Sequence, residues 1–336
     1  ISEDFLLFPN LKELHIVGSN LTELPDKISD IALQRLVIAH NDLLSSIPPL
    51  GEVTDSIEIY HNRSLEQLPK SLGTSSLQHL DLSNNALRRI SLPMASYQEL
   101  HSLNLEGNRL LQLPKDTFSI TTLSQVNISN NPLLSLPEAQ GYHNSITTLN
   151  LHNLSNLNTP LELSDFTSLK ELSIRSCPKI KELPKGIEKI EQLTTIEIVG
   201  TGLTSLSSIH NSLQLRRLVV RMNPDLKDLP ATLQLLSNLQ VLTLDQNALQ
   251  LLQEDIFPPN LQYLKLDENN LHTIPNSVCQ LEELEELLKN NEQKGLNEKM
   301  EELDQSAEDM EKQLDRSLEM LKKLQVNEKI DDLEKE

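Results

Sequence analysis

Residues 100–114 read Leu100-His101-Ser102-Leu103-Asn104-Leu105-Glu106-Gly107-Asn108-Arg109-Leu110-Leu111-Gln112-Leu113-Pro114. Because Leu103 and Leu105 are two positions apart, both side chains point to one face of a short strand while their neighbours point to the other. Asn108 follows the strand, where a buried amide can satisfy backbone groups as the chain turns. The stretch therefore predicts a short strand, a polar turn and an apolar return.

The same pattern recurs along most of the chain. Aligned on leucine spacing, it has twelve starts separated by 21 to 24 residues: Leu11, Leu33, Thr54, Leu77, Leu100, Leu123, Ile146, Leu169, Leu193, Leu215, Leu239 and Leu261. Leucine accounts for 70 of the 336 residues, only 3% are aromatic and there is no Trp. This composition favours a small apolar unit used many times over a conventional core.

The consensus LxxLxLxxNxLxxLP resembles the leucine-rich repeat family over residues 11–280. The resemblance implies an α/β repeat solenoid, a curved array of about 12 repeats with a concave parallel β-sheet. Such an array exposes apolar core at both ends unless they are covered. Residues 1–10 are therefore predicted as an N-terminal cap. Residues 281–336 are predicted as a C-terminal α-helical tail, which forms an acidic helical cap and a possible coiled coil.

The ninth position of each repeat forms a column of mostly small polar residues. It reads Ser19, Asn41, Asn62, Asn85, Asn108, Asn131, Leu154, Cys177, Thr201, Asn223, Asn247 and Asn269. We expect the asparagines to be buried and to hold backbone groups of the turn. Ser, Thr and Cys are small substitutes, but Leu154 has no donor. The seventh repeat is therefore predicted to carry a distorted turn or a bulge.

The composition changes abruptly at Leu281. From there to the end the chain has 19 acidic and 9 basic residues and no proline. Apolar residues between Leu296 and Leu324 recur every three or four positions, which predicts an amphipathic helix. Two arrangements stay open: the helix folds back on the repeats, or residues 296–324 self-associate as a short coiled coil.

Several classes of function are disfavoured by the sequence. A net charge of −20 opposes binding to nucleic acid or anionic lipid, and no apolar run is long enough to insert across a membrane. Cys177 and Cys279 are too few for a disulfide framework or a zinc site, so a reducing, cytoplasmic environment is expected. Neither cysteine has a flanking pattern for catalysis, and no phosphate-binding or metalloprotease motif is present. The sequence predicts a non-enzymatic chain without a cofactor.

The third, fifth, seventh and eighth residues of each repeat are predicted to project from the concave face. On the later repeats this gives an apolar patch with cations, a composition enriched at protein interfaces. We call this patch, on the strands of the later repeats, the later-rung patch. Its members are Arg175, Val199, Arg217, Val219, Arg221, Met222, Val241, Tyr263 and Lys265. The alternative is that Arg221 only pairs with Asp245 and that the valines simply suit strands.

Two other groups fall on the same face. Asn104, Asn127 and Asn150 lie on consecutive middle strands, and their amides are expected to bond to one another. A secondary candidate patch lies on the first four strands and comprises His15, His40, Tyr60, His61 and His79. Its histidines are spread over too many strands for one ion, so contact with a partner is favoured over a metal site.

The pattern points to a scaffold that binds another protein through its concave face. Repeats of this length that contain Leu-Pro resemble both intracellular signalling scaffolds and effectors that bacterial pathogens deliver into the host cytoplasm. Two features favour the effector: disulfide caps are absent, and a helical tail is predicted after the repeats. The alternatives are a signalling scaffold, or the substrate-recognition part of a larger enzyme such as a ubiquitin ligase.

Truncation after Gly295 tests the predicted coiled coil. If residues 296–324 self-associate, the full chain is a dimer in light scattering and the truncated chain is a folded monomer, because the apolar seam has been removed. The same monomeric mass for both chains would contradict self-association through this segment.

Overall fold

The computed structural model describes residues 8, 10–137, 145–158 and 160–288. Within them, thirteen parallel strands follow one another in sequence order across one sheet. They are β1 Glu13–Val17, β2 Leu33–Ala39, β3 Val53–Tyr60, β4 His79–Asp81, β5 Ser102–Asn104, β6 Gln125–Asn127, β7 Thr148–His152, β8 Glu171–Arg175, β9 Thr195–Val199, β10 Arg217–Arg221, β11 Val241–Thr243, β12 Tyr263–Lys265 and β13 Glu286–Leu288. The predicted parallel solenoid is confirmed.

Short 3-10 helices occur between some of the strands. They are η1 Asp26–Asp30, η2 Met94–Ser96, η3 Thr117–Ser119, η4 Ile187–Lys189, η5 Ser207–Asn211, η6 Ala231–Leu235 and η7 Asn276–Gln280. Pro25, Pro230 and Pro275 each directly precede one of these helices. A proline there fixes φ near the helical value without removing a needed N–H group.

The strand register matches the repeat alignment. The fourth residue of each repeat pairs with the fourth residue of the next, as in Leu80 with Leu103 and Leu103 with Val126. In the fifth repeat, which begins at Leu100, the side chains of Leu100, Leu103 and Leu105 are at most 1% exposed. Alternation along the strand thus builds one continuous core on one side of the sheet.

The third repeat departs from the predicted start at Thr54. Leu33 pairs with Val53 and Arg35 with Ser56, so β3 contains one extra residue. Val53 is 1% exposed and takes the first apolar site. The bulge absorbs the extra residue and lets the larger apolar side chain be buried in place of Thr54.

The asparagine column is a ladder of buried amides that joins each turn to the next. Asn41 Nδ2 donates to the carbonyl oxygens of Ile16 and Ala39, both at 2.9 Å, and its Oδ1 accepts the N–H of Ser19 at 3.0 Å. One turn later, Asn62 Oδ1 accepts the N–H of Asn41 at 3.0 Å. The predicted burial is confirmed, since the asparagines of the column are at most 7% exposed.

The ladder is interrupted at the seventh and eighth repeats. Leu154 is fully buried and brings no polar group, and the Cys177 thiol donates to Leu151 O at 3.2 Å. The predicted distortion at Leu154 is nevertheless wrong. Asn153 keeps a φ of 54°, and the Leu157 N–H donates to Leu154 O at 3.1 Å as in regular turns. Leucine fits because apolar burial replaces the amide without changing the backbone.

The end of the described chain differs from the predicted helical cap. Residues 286–288 form β13, whose Leu287 pairs with Leu264 of β12. Leu281 and Leu284 pack against the core. The spacing of three between these leucines suits a helix, but it is also the first-to-fourth spacing of a repeat, so one more strand is added to the sheet. The predicted coiled coil and residues 1–7 of the predicted cap lie outside the described residues, and a helical tail has no support there.

Replacing Asn108 by Leu tests the ladder. Its Nδ2 donates to Leu82 O and Leu105 O at 2.9 and 3.0 Å, and its Oδ1 accepts the Leu87 N–H at 3.1 Å. Leucine leaves these backbone groups unpaired, so we expect the free energy of unfolding to fall by about 2 to 3 kcal/mol in urea denaturation.

The matched control is Asn150→Leu, because no side-chain hydrogen bond holds Asn150 within the described chain. We expect that change to alter stability by no more than about 0.5 kcal/mol. Equal losses in the two variants would mean that the ladder does not carry the stability.

Candidate interaction face

The sheet has a core face and an open face. The open face carries the third, fifth and seventh residues of each repeat, and the eighth residue begins the turn at its edge. It is not uniformly accessible, because Val219, Thr243 and Asp245 on it are 3%, 7% and 2% exposed. Neighbouring side chains cover these three, so the accessible part is narrower than strand alternation alone predicts.

The eighth position has a left-handed backbone in all twelve repeats. Its residues are Gly18, His40, His61, Asn84, Gly107, Asn130, Asn153, Ser176, Gly200, Met222, Gln246 and Glu268, with φ between 51° and 67°. Gly adopts this region freely and Asn tolerates it, whereas other side chains are strained by about 1 to 2 kcal/mol. Six repeats therefore keep a strained side chain where Gly or Asn would be relaxed.

Three of the six strained residues belong to the two candidate patches. His40 and His61 belong to the secondary patch, and Met222 belongs to the later-rung patch, with Gln246 and Glu268 on the two repeats that follow. Backbone strain that the surrounding structure maintains is a recognised feature of binding sites. The left-handed column was missed in the sequence, although three glycines and three asparagines at one repeat position were a signal for it.

Most of the later-rung patch lines one groove. A groove of about 340 Å³ is bounded by Glu197, Arg217, Val219, Arg221, Val241, Thr243, Tyr263 and Lys265. Six of the nine predicted residues are among them. Arg175, Val199 and Met222 are outside the lining, and Met222 is 45% exposed beside β10.

A buried carboxylate fixes two of the cations. Asp245 Oδ2 accepts Arg221 Nη2 and Nε at 2.7 and 2.8 Å, and Lys265 Nζ lies 3.5 Å away. The pairing of Arg221 with Asp245, which the sequence left as an alternative, is therefore present. Asp245 Oδ1 is buried without a hydrogen-bond partner among the described residues. Arg221 is thus needed to compensate a buried charge.

The remaining arginines of the patch differ from each other. Arg175 Nη2 donates to Glu197 Oε2 at 2.6 Å. Arg217 is exposed and forms no ion pair within the part of the chain that the structure describes. Arg217 and Met222 are therefore the patch residues whose polar or apolar groups are most available to a partner.

The amides of the middle strands do not bond to one another as expected. Asn104 Nδ2 donates to Asp81 at 3.2 Å, and Asn127 Nδ2 donates to Glu106 at 2.8 Å. The Oδ1 atoms of both accept the N–H two residues later, at 3.2 and 3.1 Å. Carboxylates from neighbouring positions are stronger acceptors than amides, so they displace the predicted ladder of Asn104, Asn127 and Asn150.

Three residues of the secondary patch form an aromatic cluster. The rings of His40 and His61 are stacked 4.9 Å apart with an interplanar angle of 10°, and Tyr60 packs edge-on against both at 5.8 and 5.7 Å. His15 is instead near Glu13, at 3.6 Å, and His79 lines a separate groove with Arg35, Glu58 and Asp81. The described residues hold no group of three His, Cys, Asp or Glu side chains placed to bind a metal ion.

The surroundings of Cys177 do not favour nucleophilic chemistry. Cys177 and Cys279 are both free thiols, the first buried and the second exposed. Burial raises the pKa of the Cys177 thiol, so it stays protonated in the core. Among the described helices, none combines the length and the apolar composition needed to cross a bilayer.

Family comparisons agree with the repeat geometry. A model described as "Leucine rich repeat" matches residues 237–292, and a second, "Leucine Rich Repeat", matches residues 76–96. Two stretches of the chain thus match the leucine-rich repeat family. Proteins of this family are in general non-enzymatic modules that bind other proteins.

Among solved structures, the leucine-rich repeat chain is similar to YopM from Yersinia enterocolitica WA-314. The two share 25% identity with a TM-score of 0.59, over 81% of this chain and 55% of YopM. An internalin (inlF) from Listeria monocytogenes matches with a TM-score of 0.50 and 17% identity, over 85% of this chain and 88% of the internalin, and shows the fold alone. The likeness to YopM agrees with the resemblance to bacterial leucine-rich repeat effectors.

A curated protein also matches part of the repeats. Volume-regulated anion channel subunit LRRC8D of Rattus norvegicus is 40% identical over 102 residues, which are 28% of this chain and 11% of the channel subunit. The chain thus spans about a tenth of the length of that relative, and the match concerns repeats only.

Exchanging residues at the left-handed position tests the strain. Met222→Asn should raise the free energy of unfolding by about 0.5 to 1 kcal/mol, because Asn tolerates a positive φ better than Met. The reciprocal change, Asn84→Met, should lower it by a similar amount, since Asn84 has a φ of 54°. Chemical denaturation measures both, and a loss of stability in Met222→Asn would contradict the strain.

Proposed function

We propose that this chain is a bacterial effector that acts in the host cytoplasm by binding a host protein through its open face, without catalysing a reaction. The observation that carries the proposal is the later-rung groove. It combines apolar walls with an unpaired arginine on a rigid sheet, and the exposed Met222, held in a strained backbone, directly follows the lining residue Arg221. The likeness to YopM supports the bacterial setting.

The chemistry of the groove supports binding rather than catalysis. Its polar groups are three cations and Glu197, together with the Thr243 and Tyr263 hydroxyls. Its one carboxylate, Glu197, is paired with Arg175 at 2.6 Å, so the lining offers no nucleophile with a free base beside it. Val241 and Tyr263 instead provide half-buried apolar surface, which a partner can cover while Arg217 meets a polar or acidic group.

The rigidity of the array favours this use. Each strand from β2 to β12 is bonded to both neighbours, and most turns are joined by buried amides, so the face is preorganised before a partner arrives. Preorganisation limits the conformational entropy lost on binding. Arg217, Val219 and Arg221 occupy alternate positions of β10. Their side chains therefore project to the same face from one fixed segment of backbone.

The test is a double substitution that leaves the buried ion pair intact. Arg221 is unsuitable because its removal would strand the Asp245 carboxylate. Arg217→Ser with Met222→Asn changes only side chains that form no ion pair or hydrogen bond with other described residues, and Asn fits the left-handed turn. The double variant and the parent chain are compared first in a pull-down from host-cell lysate, then by calorimetry with the protein that the parent captures.

We expect the double variant to remain folded and to lose about 2 kcal/mol or more of binding free energy, roughly a thirty-fold increase in Kd. The matched control is Gln125→Ser with Asn150→Ser, on the same face in the middle strands, which should bind normally. Normal binding by the Arg217 and Met222 variant would move the interaction away from the groove. If the chain captures specific partners from bacterial lysate and none from host-cell lysate, the effector role is contradicted.

A further inference from the structure

The aromatic cluster at the C-terminal ends of β2 and β3 is a second feature of the open face, about seven strands from the later-rung groove. His40 is exposed, and Tyr60 and His61 are half-buried. The two imidazole rings are parallel, and the tyrosine ring is nearly perpendicular to both, at 84° and 78°. The three rings thus form one continuous aromatic surface at the edge of the sheet.

The backbone maintains this arrangement against strain. His40 and His61 occupy successive left-handed positions, with φ of 56° and 53°. Asn or Gly stands at this position in half of the repeats, and either would satisfy the same turn with less strain. The stacked histidines are therefore not required by the fold of the turn.

The charges around the cluster are unequal. Glu58 is held by Arg35 at 2.6 Å, and Asp42 lies 3.8 Å from the exposed Arg63. Asp81 has no ion pair within the described residues; its oxygens accept the Ser83 N–H at 2.8 Å and the Asn104 amide at 3.2 Å. One uncompensated carboxylate is thus available beside the rings.

The same groups act on the titration of the rings. Burial lowers the pKa of His61, with His40 and Arg63 acting in the same direction while Asp81 and Asp42 oppose them. Burial raises the pKa of Tyr60. The charges of Glu58 and Asp81 raise the pKa of Tyr60 further, whereas that of Arg35 lowers it. At neutral pH Tyr60 and His61 therefore present neutral rings.

We propose that the cluster of His40, Tyr60 and His61 is a second interaction surface, which binds an arginine side chain of a partner protein. A guanidinium group is planar, stacks on aromatic faces and keeps its charge, whereas a lysine ammonium is strongly hydrated and cannot stack. Asp81 supplies the complementary charge. This proposal does not depend on the later-rung groove.

The probe is N-acetyl-arginine methylamide, titrated into the full chain at about pH 7.5 and followed by NMR of the histidine and tyrosine ring signals. We expect saturable shifts at His40, Tyr60 and His61. The uncharged isostere, N-acetyl-citrulline methylamide, should bind at least about five-fold more weakly, since it lacks the cation. Equal shifts with citrulline, or shifts that spare these rings, would overturn the proposal.

A second arm uses variants that preserve the turn. His40→Asn with His61→Asn should abolish the response to arginine, because Asn is accepted at this position but cannot stack. His15→Asn with His79→Asn is the matched control and should respond like the parent chain. Unfolding in urea checks both for folding. If a double variant unfolds, the comparison of arginine with citrulline on the parent chain still decides the question.

The third arm varies pH and the sign of the probe. At a pH below the lowered pKa of His61, its protonated ring repels a guanidinium, so the arginine affinity should fall at least about five-fold relative to about pH 7.5. N-acetyl-glutamate methylamide should leave the cluster unchanged at about pH 7.5. Arginine binding that strengthens at low pH, or a glutamate response equal to that of arginine, would contradict a cation-binding surface.

Discussion

The ladder of buried amides in the ninth column determines how this chain is built. Each asparagine donates to carbonyl groups of its own turn and of the preceding repeat, and accepts an N–H from that preceding repeat, as Asn41 and Asn62 show. A turn between two parallel strands buries backbone groups that the strand ladder cannot satisfy, and leaving one unpaired costs about 1 to 3 kcal/mol. The amides remove this penalty in the eight repeats that carry asparagine in the column.

The fixed turn also determines where side chains can be displayed. Because the residue before the amide is always left-handed, its side chain projects at the edge of the sheet in every repeat. Where Gly18 or Gly107 stands, nothing is displayed; where His61 or Met222 stands, a side chain is kept despite backbone strain. His40 and His61 of the aromatic cluster lie at such positions, and Met222 does so next to the later-rung groove, whose lining residues do not.

Much of the fold could be predicted because the repeat has a strict period. The spacing of Leu103 and Leu105 gave the strand face, and the asparagine column gave the turn. The bulge before Ser56 could not be predicted, since Val53 and Thr54 both suit a strand and only packing selects the valine. Likewise Leu281, Leu284 and Leu287 satisfy a helical and a repeat spacing equally, and only pairing with β12 distinguishes them.

The candidate site was harder to predict than the fold. Alternation identified the residues of the open face, but not which of them are covered: Val219 and Asp245 are buried there. The pairing of Arg221 with Asp245 depends on two side chains from adjacent strands meeting, which the sequence allowed without requiring. The stacking of His40 on His61 depends on a left-handed backbone, a property that residue type alone does not reveal for histidine.

Native-state hydrogen exchange on the full chain tests the central role of the amide ladder most directly. The N–H groups of Leu87 and Leu110 are bonded to Asn108 and Asn131 at 3.1 Å, whereas the Leu133 N–H in the turn before Leu154 faces no amide of the next repeat. If the ladder joins the repeats, protection is high at Leu87 and Leu110 and lowest around the turns that face Leu154 and Cys177. Equal protection along the array, or a minimum within the asparagine-bearing turns, would contradict this account.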